Sequence, residues 1–150
     1  MLQIAFETPN QPEIIALIAD LDAYQLTLYP PESVYALDLK SLMQPEVKFA
    51  VARDAAGALV GCAAVVLSNG YGEIKRMYVK PEARGLGAAK GLMAALEQAT
   101  RIAGCDLMVL ETGPAQPEAI ALYARHGFSV CGPYGDYRDD PLSVFMRKVL

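Results

Sequence analysis

The stretch KPEARGLGAAKGLMAALEQA, residues 80–99, changes character within a few letters: Arg84, Gly85 and Gly87 stand directly before a run rich in alanine and leucine. Leu92, Ala95, Leu96, Ala99 and Ile102 recur at intervals of three and four, while Lys90, Glu97, Gln98 and Arg101 hold the opposite side. That spacing predicts an amphipathic helix, closed by Gly104 as a favourable residue just past its end. A helix start leaves N–H groups without intrahelical partners, pointing outward with the positive end of the dipole. The glycines allow a bulky ligand to come close, and Arg84 adds a charge with bidentate geometry for phosphate. Two uses of the segment follow, an anion cradle or the plain turn by which a strand becomes a helix. A P-loop requires GxxxxGK followed by Ser or Thr, and no such string occurs. A dinucleotide fingerprint requires GxGxxG in an early βαβ unit, but Gly91 comes one residue late and the loop lies past mid-chain.

Upstream, LQIAFET reads as a strand, and a helix is expected from about Gln11 to Leu28, with Ile14, Leu17, Ile18, Leu21 and Ala23 near helical spacing. Tyr29, Pro30 and Pro31 end it. A shorter helix is expected over Glu32 to Met43, stopped by Pro45. VKFAVARD, ALVGCAAVVLS and EIKRMYV then read as an antiparallel meander, with turns at Ala55 to Gly57 and at SNGYG. Downstream, DLMVLET is a strand of the buried kind, and Pro117 opens a helix that closes at Gly127. FSVCG and SVFMRKVL are two last strands around the loop PYGDYRDDPL. The order predicts an α+β, mixed α/β fold: a mostly antiparallel twisted sheet of about seven strands with about four helices, in one domain spanning residues 1–150.

A hydrophobic fraction of 53% with 20% charged residues excludes a disordered chain. The longest nearly uncharged stretch, Ala55 to Gly72, is broken by Gly57, Gly61, Ser68, Asn69 and Gly70, so no membrane span is expected. The start, MLQIAFETPN, has no basic region before an apolar core, which points to the cytoplasm. A net charge of −4 argues against nucleic acid as the main partner, because phosphate backbones need a basic face. Cys62, Cys105 and Cys131 are dispersed and His126 is the single histidine, so neither a disulfide framework nor a metal site is expected. His126 reads as a surface or capping residue.

Arg84, Gly87 and Ala89 satisfy Arg/Gln-x-x-Gly-x-Gly/Ala in register, and EAIALYARHGF, residues 118–128, satisfies Ala-x-x-Leu-Tyr-x-x-x-Gly-Phe one strand later. In this order the two segments resemble the GNAT family of N-acetyltransferases, over about residues 47–150. The resemblance implies that the backbone of Arg84, Gly85, Leu86, Gly87, Ala88 and Ala89 binds the pyrophosphate of acetyl-coenzyme A. The pantetheine arm would lie beside Met77, Tyr78 and Val79 like an added strand, with backbone N–H groups there polarising the acetyl carbonyl. Thr112, Gln116, Ala119 and Tyr123 would line its other side. The chain departs from the family where many members end the fifth strand with Asn and cap the next helix with another, having Glu111-Thr112 and Gln116 instead. LYPPES, LETG and GPYGDY suggest a bacterial subgroup acting on small acceptors.

Moving an acetyl group from a thioester to an amine requires a neutral amine, a polarised carbonyl and a protonated leaving thiol. An alkylammonium has a pKa of roughly 10, so a base must take its proton. Glu73, eleven residues before Arg84, stands where some family members carry a catalytic glutamate, and its alternative is a solvated carboxylate at a strand end. Tyr123 is the expected acid, since a phenol stays protonated at neutral pH and can donate to a thiolate; its alternative is a core aromatic. Tyr24, Tyr29, Tyr134 and Tyr137, with Glu73, are candidates for the acceptor wall, and the run Arg138 to Asp140 reads as solvated. The expected activity is transfer from acetyl-coenzyme A to a primary amine of a small molecule, amino acid derivative or peptide, without metal, with a homodimer left open. The alternatives are a non-catalytic acyl-coenzyme A binding or sensing domain and an O-acetyltransferase. Retention of Glu73 and Tyr123 favours the enzyme.

Overall fold

The computed structural model describes residues 1–150 as one seven-stranded sheet with helices on both faces. The strands are β1 (Gln3–Phe6), β2 (Val47–Arg53), β3 (Leu59–Leu67), β4 (Gly72–Val79), β5 (Leu107–Thr112), β6 (Ser129–Cys131) and β7 (Val144–Val149), and they lie in the order β1-β2-β3-β4-β5-β7-β6. Every neighbouring pair is antiparallel except β4 and β5. The meander expected for residues 47–79 is present, and the mixed α/β class holds.

The helices form for legible reasons. In α1 (Pro12–Leu28) Pro12 occupies the first turn, where its missing N–H costs nothing, and Ile14, Leu17 and Leu21 are buried. Pro30 then forces Tyr29 into extended backbone, φ −135° and ψ 150°, and the helix stops. In α3 (Ala88–Ile102) Leu92, Met93, Leu96 and Thr100 face inward, and the Thr100 hydroxyl donates back to the Leu96 carbonyl at 2.8 Å. α4 (Pro117–Arg125) buries Tyr123 and ends at His126, whose N–H reaches the Leu122 and Tyr123 carbonyls, so the capping role expected of His126 is the one it fills. Two cores result. Leu92, Leu96, Val65, Ile74, Met108 and Leu110 pack between α3 and one sheet face, and Ile14, Leu17, Leu42, Phe49 and Val51 lie on the other. Each such side chain contributes on the order of 1.5–3 kcal/mol by leaving water.

The helix expected over Glu32 to Met43 does not form as one element. A single 3₁₀ turn covers Pro31–Ser33, the chain is irregular from Val34, and only Leu39–Leu42 is helical, α2. Asp38 caps that helix, accepting the Ser41 N–H at 2.8 Å. The carbonyls a longer helix would need are engaged elsewhere: the Lys75 ammonium donates to the Tyr35 carbonyl at 2.8 Å, and Arg76 Nε to the Leu37 carbonyl at 3.0 Å. Tertiary bonds to β4 thus replace helical ones, and an irregular strap crosses the sheet.

Candidate active site

β4 and β5 pair only over Gly72–Ile74 with Met108–Leu110, and beyond those residues they part. The opening wedge is lined by strand ends whose backbone groups face no partner strand. A bulge shapes one side of it. Lys75 stands opposite Ala64 and Tyr78 opposite Cys62, so Arg76 and Met77 together face Ala63. Arg76 carries the extra residue's conformation, φ 58°, the one non-glycine residue in the left-handed region. The bulge turns both Lys75 and Arg76 toward the strap, where they hold the Tyr35 and Leu37 carbonyls.

At one end of the wedge lies a cleft of about 420 Å³. Met77, Tyr78, Val79, Arg84, Gly85, Gly87, Ala88, Ala89, Gln116, Ala119 and Tyr123, all named from the sequence, border it. Leu86 does not, its side chain being 64% exposed, and Thr112 borders a different cavity. Gly85 and Gly87 have φ of +83° and +88°, and no atom lies within 4 Å of where a Cβ would stand. The glycines therefore serve the backbone path and leave open space above it, the shape a phosphate cradle needs. The first α3 bond runs from Gly91 N–H to the Gly87 carbonyl, 3.0 Å, so the N–H groups of Ala88, Ala89 and Lys90 have no partner within the helix. Tyr24 borders this cleft and not the smaller cavity.

At the other end a smaller cavity, about 110 Å³, lies between α1, the strap, β4 and β5. Tyr29, Tyr35, Lys75, Arg76 and Glu111 border it, and it shares Leu21, Met77, Gln116, Ala119 and Tyr123 with the cleft. The Tyr29 hydroxyl donates to Gln116 Oε1 at 3.2 Å. Tyr123 is 7% exposed and its hydroxyl has no hydrogen-bond partner in the protein, although it is not sealed off. Burial raises its pKa, so it stays a phenol.

Glu73 and Tyr134 border neither cavity. Glu73 is no solvated strand-end carboxylate: its side chain is 14% exposed, Oε2 accepts from the Tyr134 hydroxyl at 2.8 Å and the Tyr137 hydroxyl at 2.7 Å, and Lys75 Nζ is 3.2 Å away. Tyr137 also bonds to Lys75. Asp140 is likewise not simply solvated, since it accepts from Ser33 Oγ at 3.0 Å and the Tyr35 hydroxyl at 2.9 Å and so fastens the strap to the 132–143 loop. The carboxyl that does face the cavity is Glu111, which sequence reasoning met only as a departure from asparagine. Burial pushes its pKa from 4.5 up to about 7, with the nearby Ser143 hydroxyl and the Lys75 ammonium pulling the other way without cancelling it. Its signal in the sequence was parity: in a strand whose Met108 and Leu110 face α3, Val109 and Glu111 must face the other side. Arg76 gave no comparable signal, because a bulge is not visible in a run of residue types.

A wedge between two parallel strands, with an open glycine-edged helix start at one end and a tyrosine-walled cavity at the other, defines an acyltransferase of the kind that draws on coenzyme A thioesters. The chain belongs to the acetyltransferase (GNAT) family, whose profile matches residues 14–128; the match begins well before residue 47, where the sequence resemblance was expected to start. The IAA acetyltransferase of Azospirillum brasilense is 46% identical over 149 residues, 98% of this chain and 97% of that protein. A solved Klebsiella pneumoniae structure assigned to the acyl-CoA N-acyltransferases is 42% identical with a TM-score of 0.85, covering 100% of this chain and 98% of its own. The PaiA N-acetyltransferase of Thermoplasma acidophilum, solved with coenzyme A, shares the fold at 16% identity, with a TM-score of 0.75 over 100% of this chain and 99% of its own. No helix is long and apolar enough to cross a membrane, and no group of three or more His, Cys, Asp or Glu side chains is placed to hold a metal ion.

Proposed function

We propose that residues 1–150 form one acetyltransferase domain that moves the acetyl group of acetyl-coenzyme A to a primary amine of a small acceptor, by direct attack with both substrates bound. The observation that carries this is the position of Tyr123, a buried phenol without a protein partner at the junction of a large cleft and a small cavity. One space suits the donor and the other the acceptor, and the phenol stands where they meet. The name of the Azospirillum relative, an acetyltransferase, supports the same chemistry.

Acetyl-coenzyme A, as substrate, brings the activated acyl group. The N–H groups of Ala88, Ala89 and Lys90, with the flexible path through Gly85 and Gly87, suit its pyrophosphate. The free edge of Met77 to Val79 suits an added strand of amide groups and can polarise the acyl carbonyl. Tyr123 donates its phenolic proton to the departing sulfur. Glu111, rather than Glu73, takes the proton of the ammonium, directly or through water: it faces the acceptor cavity and its pKa lies near neutrality, where a base both is ionised and accepts readily. Glu73 holds Lys75 and the two tyrosines in place.

A panel of primary amines and alcohols incubated with acetyl-coenzyme A, with free thiol followed over time, tests the reading. Acceptor-dependent thiol release with an acetamide product is expected. Saturable acetyl-coenzyme A binding without release across the panel would make the protein a binding or sensing domain, and an ester product would make it an O-acetyltransferase.

A further inference from the structure

Three charged residues border the smaller cavity: Lys75 and Arg76 from β4, and Glu111 from β5. The signs are separated across the wedge. Lys75 donates to the Tyr35 carbonyl and the Tyr137 hydroxyl and forms an ion pair with Glu73 at 3.2 Å, so protein groups already surround its ammonium. Arg76 is different. Its side chain is 6% exposed, Nε donates to the Leu37 carbonyl and Nη1 pairs with Asp22 on α1, yet Nη2 has no partner in the protein and is not sealed away. A guanidinium has five N–H donors in a rigid fork, so one side can be fixed by Asp22 while the other meets a ligand. The backbone supplies a second observation. Arg76 is held at φ 58°, a conformation that strains a residue with a Cβ and normally falls to glycine or asparagine. Such strain persists only where the surrounding structure enforces it, here the β3–β4 bulge, and it clusters at active sites and ligand clamps.

We infer that the acceptor is an amine that also carries a carboxylate, as a free amino acid does, and that Arg76 Nη2 binds the carboxylate. The amine then lies toward Glu111 on the opposite strand, and a zwitterion matches the separation of signs in the cavity. Asp22 and Glu73 sit behind the two cations and keep the site near neutrality, so a doubly charged but net neutral acceptor enters without a large field against it. This rests on the transfer reaction proposed above and adds the acceptor's class to it.

The test compares glycine, L-leucine and L-phenylalanine with their carboxamides and their decarboxylated amines, by kcat/KM at saturating acetyl-coenzyme A. For at least one amino acid the acid should exceed its amide by at least about 10-fold, the usual weight of a charge-assisted bond to a carboxylate. Arg76→Gln should bring that ratio to about 1. Asp22→Asn, which keeps an oxygen to accept from Nη1 but removes the charge that partly neutralises the guanidinium, should raise the ratio by about 3- to 10-fold. If Arg76→Gln fails to fold, the Asp22 variant decides alone, and an unchanged ratio there overturns the inference. A parent enzyme that acetylates amides and simple amines as well as acids overturns it while leaving the transfer reaction standing. Acetyl-coenzyme A binding with no acetylation of any amine overturns both.

Discussion

Replacing Glu111 by glutamine should stabilise the protein in mild alkali while disabling it. The carboxyl's pKa is pushed from 4.5 up to about 7 by burial. Between those values the folded protein therefore binds more protons than the unfolded chain, and stability falls as pH rises through that window and stays low above it. At roughly 1.36 kcal/mol per pH unit the full cost would be about 3.4 kcal/mol. Contact with water in the cavity screens the charge, and about 2 kcal/mol is the expected figure. Glutamine keeps the shape of the neutral carboxyl and never ionises, so Glu111→Gln should melt about 4–8 °C above the parent at pH 8 and level with it near pH 4. Thermal melts of both proteins from pH 4 to 8.5 measure this. A difference in Tm that does not change with pH would refute the buried, cavity-facing carboxyl. Activity should move oppositely: the parent's kcat/KM rises with pH to a plateau with an apparent pKa near 7, and the variant loses about 10²–10⁴-fold together with that limb.

Tyr123→Phe keeps the ring packed against Phe128, so acetyl-coenzyme A affinity should stay within about twofold while kcat falls about 10- to 100-fold in steady-state assays. Gly87→Glu places a side chain at φ +88° and a negative charge over the loop; calorimetric titration should show acetyl-coenzyme A binding weakened at least about 10-fold, and unchanged affinity in a folded variant would remove the cradle. Gly113→Ala would put a Cβ 2.0 Å from the Tyr29 hydroxyl, so Tyr29 must leave the cavity wall. The expected result is a higher acceptor KM with an unaltered acetyl-coenzyme A KM and a stability loss of about 1–3 kcal/mol.

The sequence disclosed what depends on periodicity and punctuation. Leu92, Leu96 and their neighbours announce α3, Pro30 ends α1, and Gly104 and Gly127 mark two helix ends at φ of +84° and +94°. The glycine-loop border of the large cleft was legible for the same reason, because its requirements are local. What stayed hidden depends on bonds between distant residues. Val34 to Leu37 read as helix because nothing nearby announces that Lys75 and Arg76 claim the carbonyls of Tyr35 and Leu37. Glu73 looked available because Tyr134 and Tyr137, more than sixty residues later, could not be placed on its carboxylate from the order of letters alone.

The brevity of the β4–β5 pairing has a consequence for how the molecule assembles. β2, β3 and β4 are linked by short connections, residues 54–58 and 68–71, so closing their ladders orders little intervening chain. β4 and β5 meet only after the 27 residues 80–106 have been laid across the sheet as α3, and then through three residue pairs. The sheet is thus two plates, β1–β4 and β5-β7-β6, riveted at a narrow joint, and the cleft and the smaller cavity both open beside that joint. Few ladder bonds hold that joint, so the width of the cleft at its open end follows from how far the two plates stand apart.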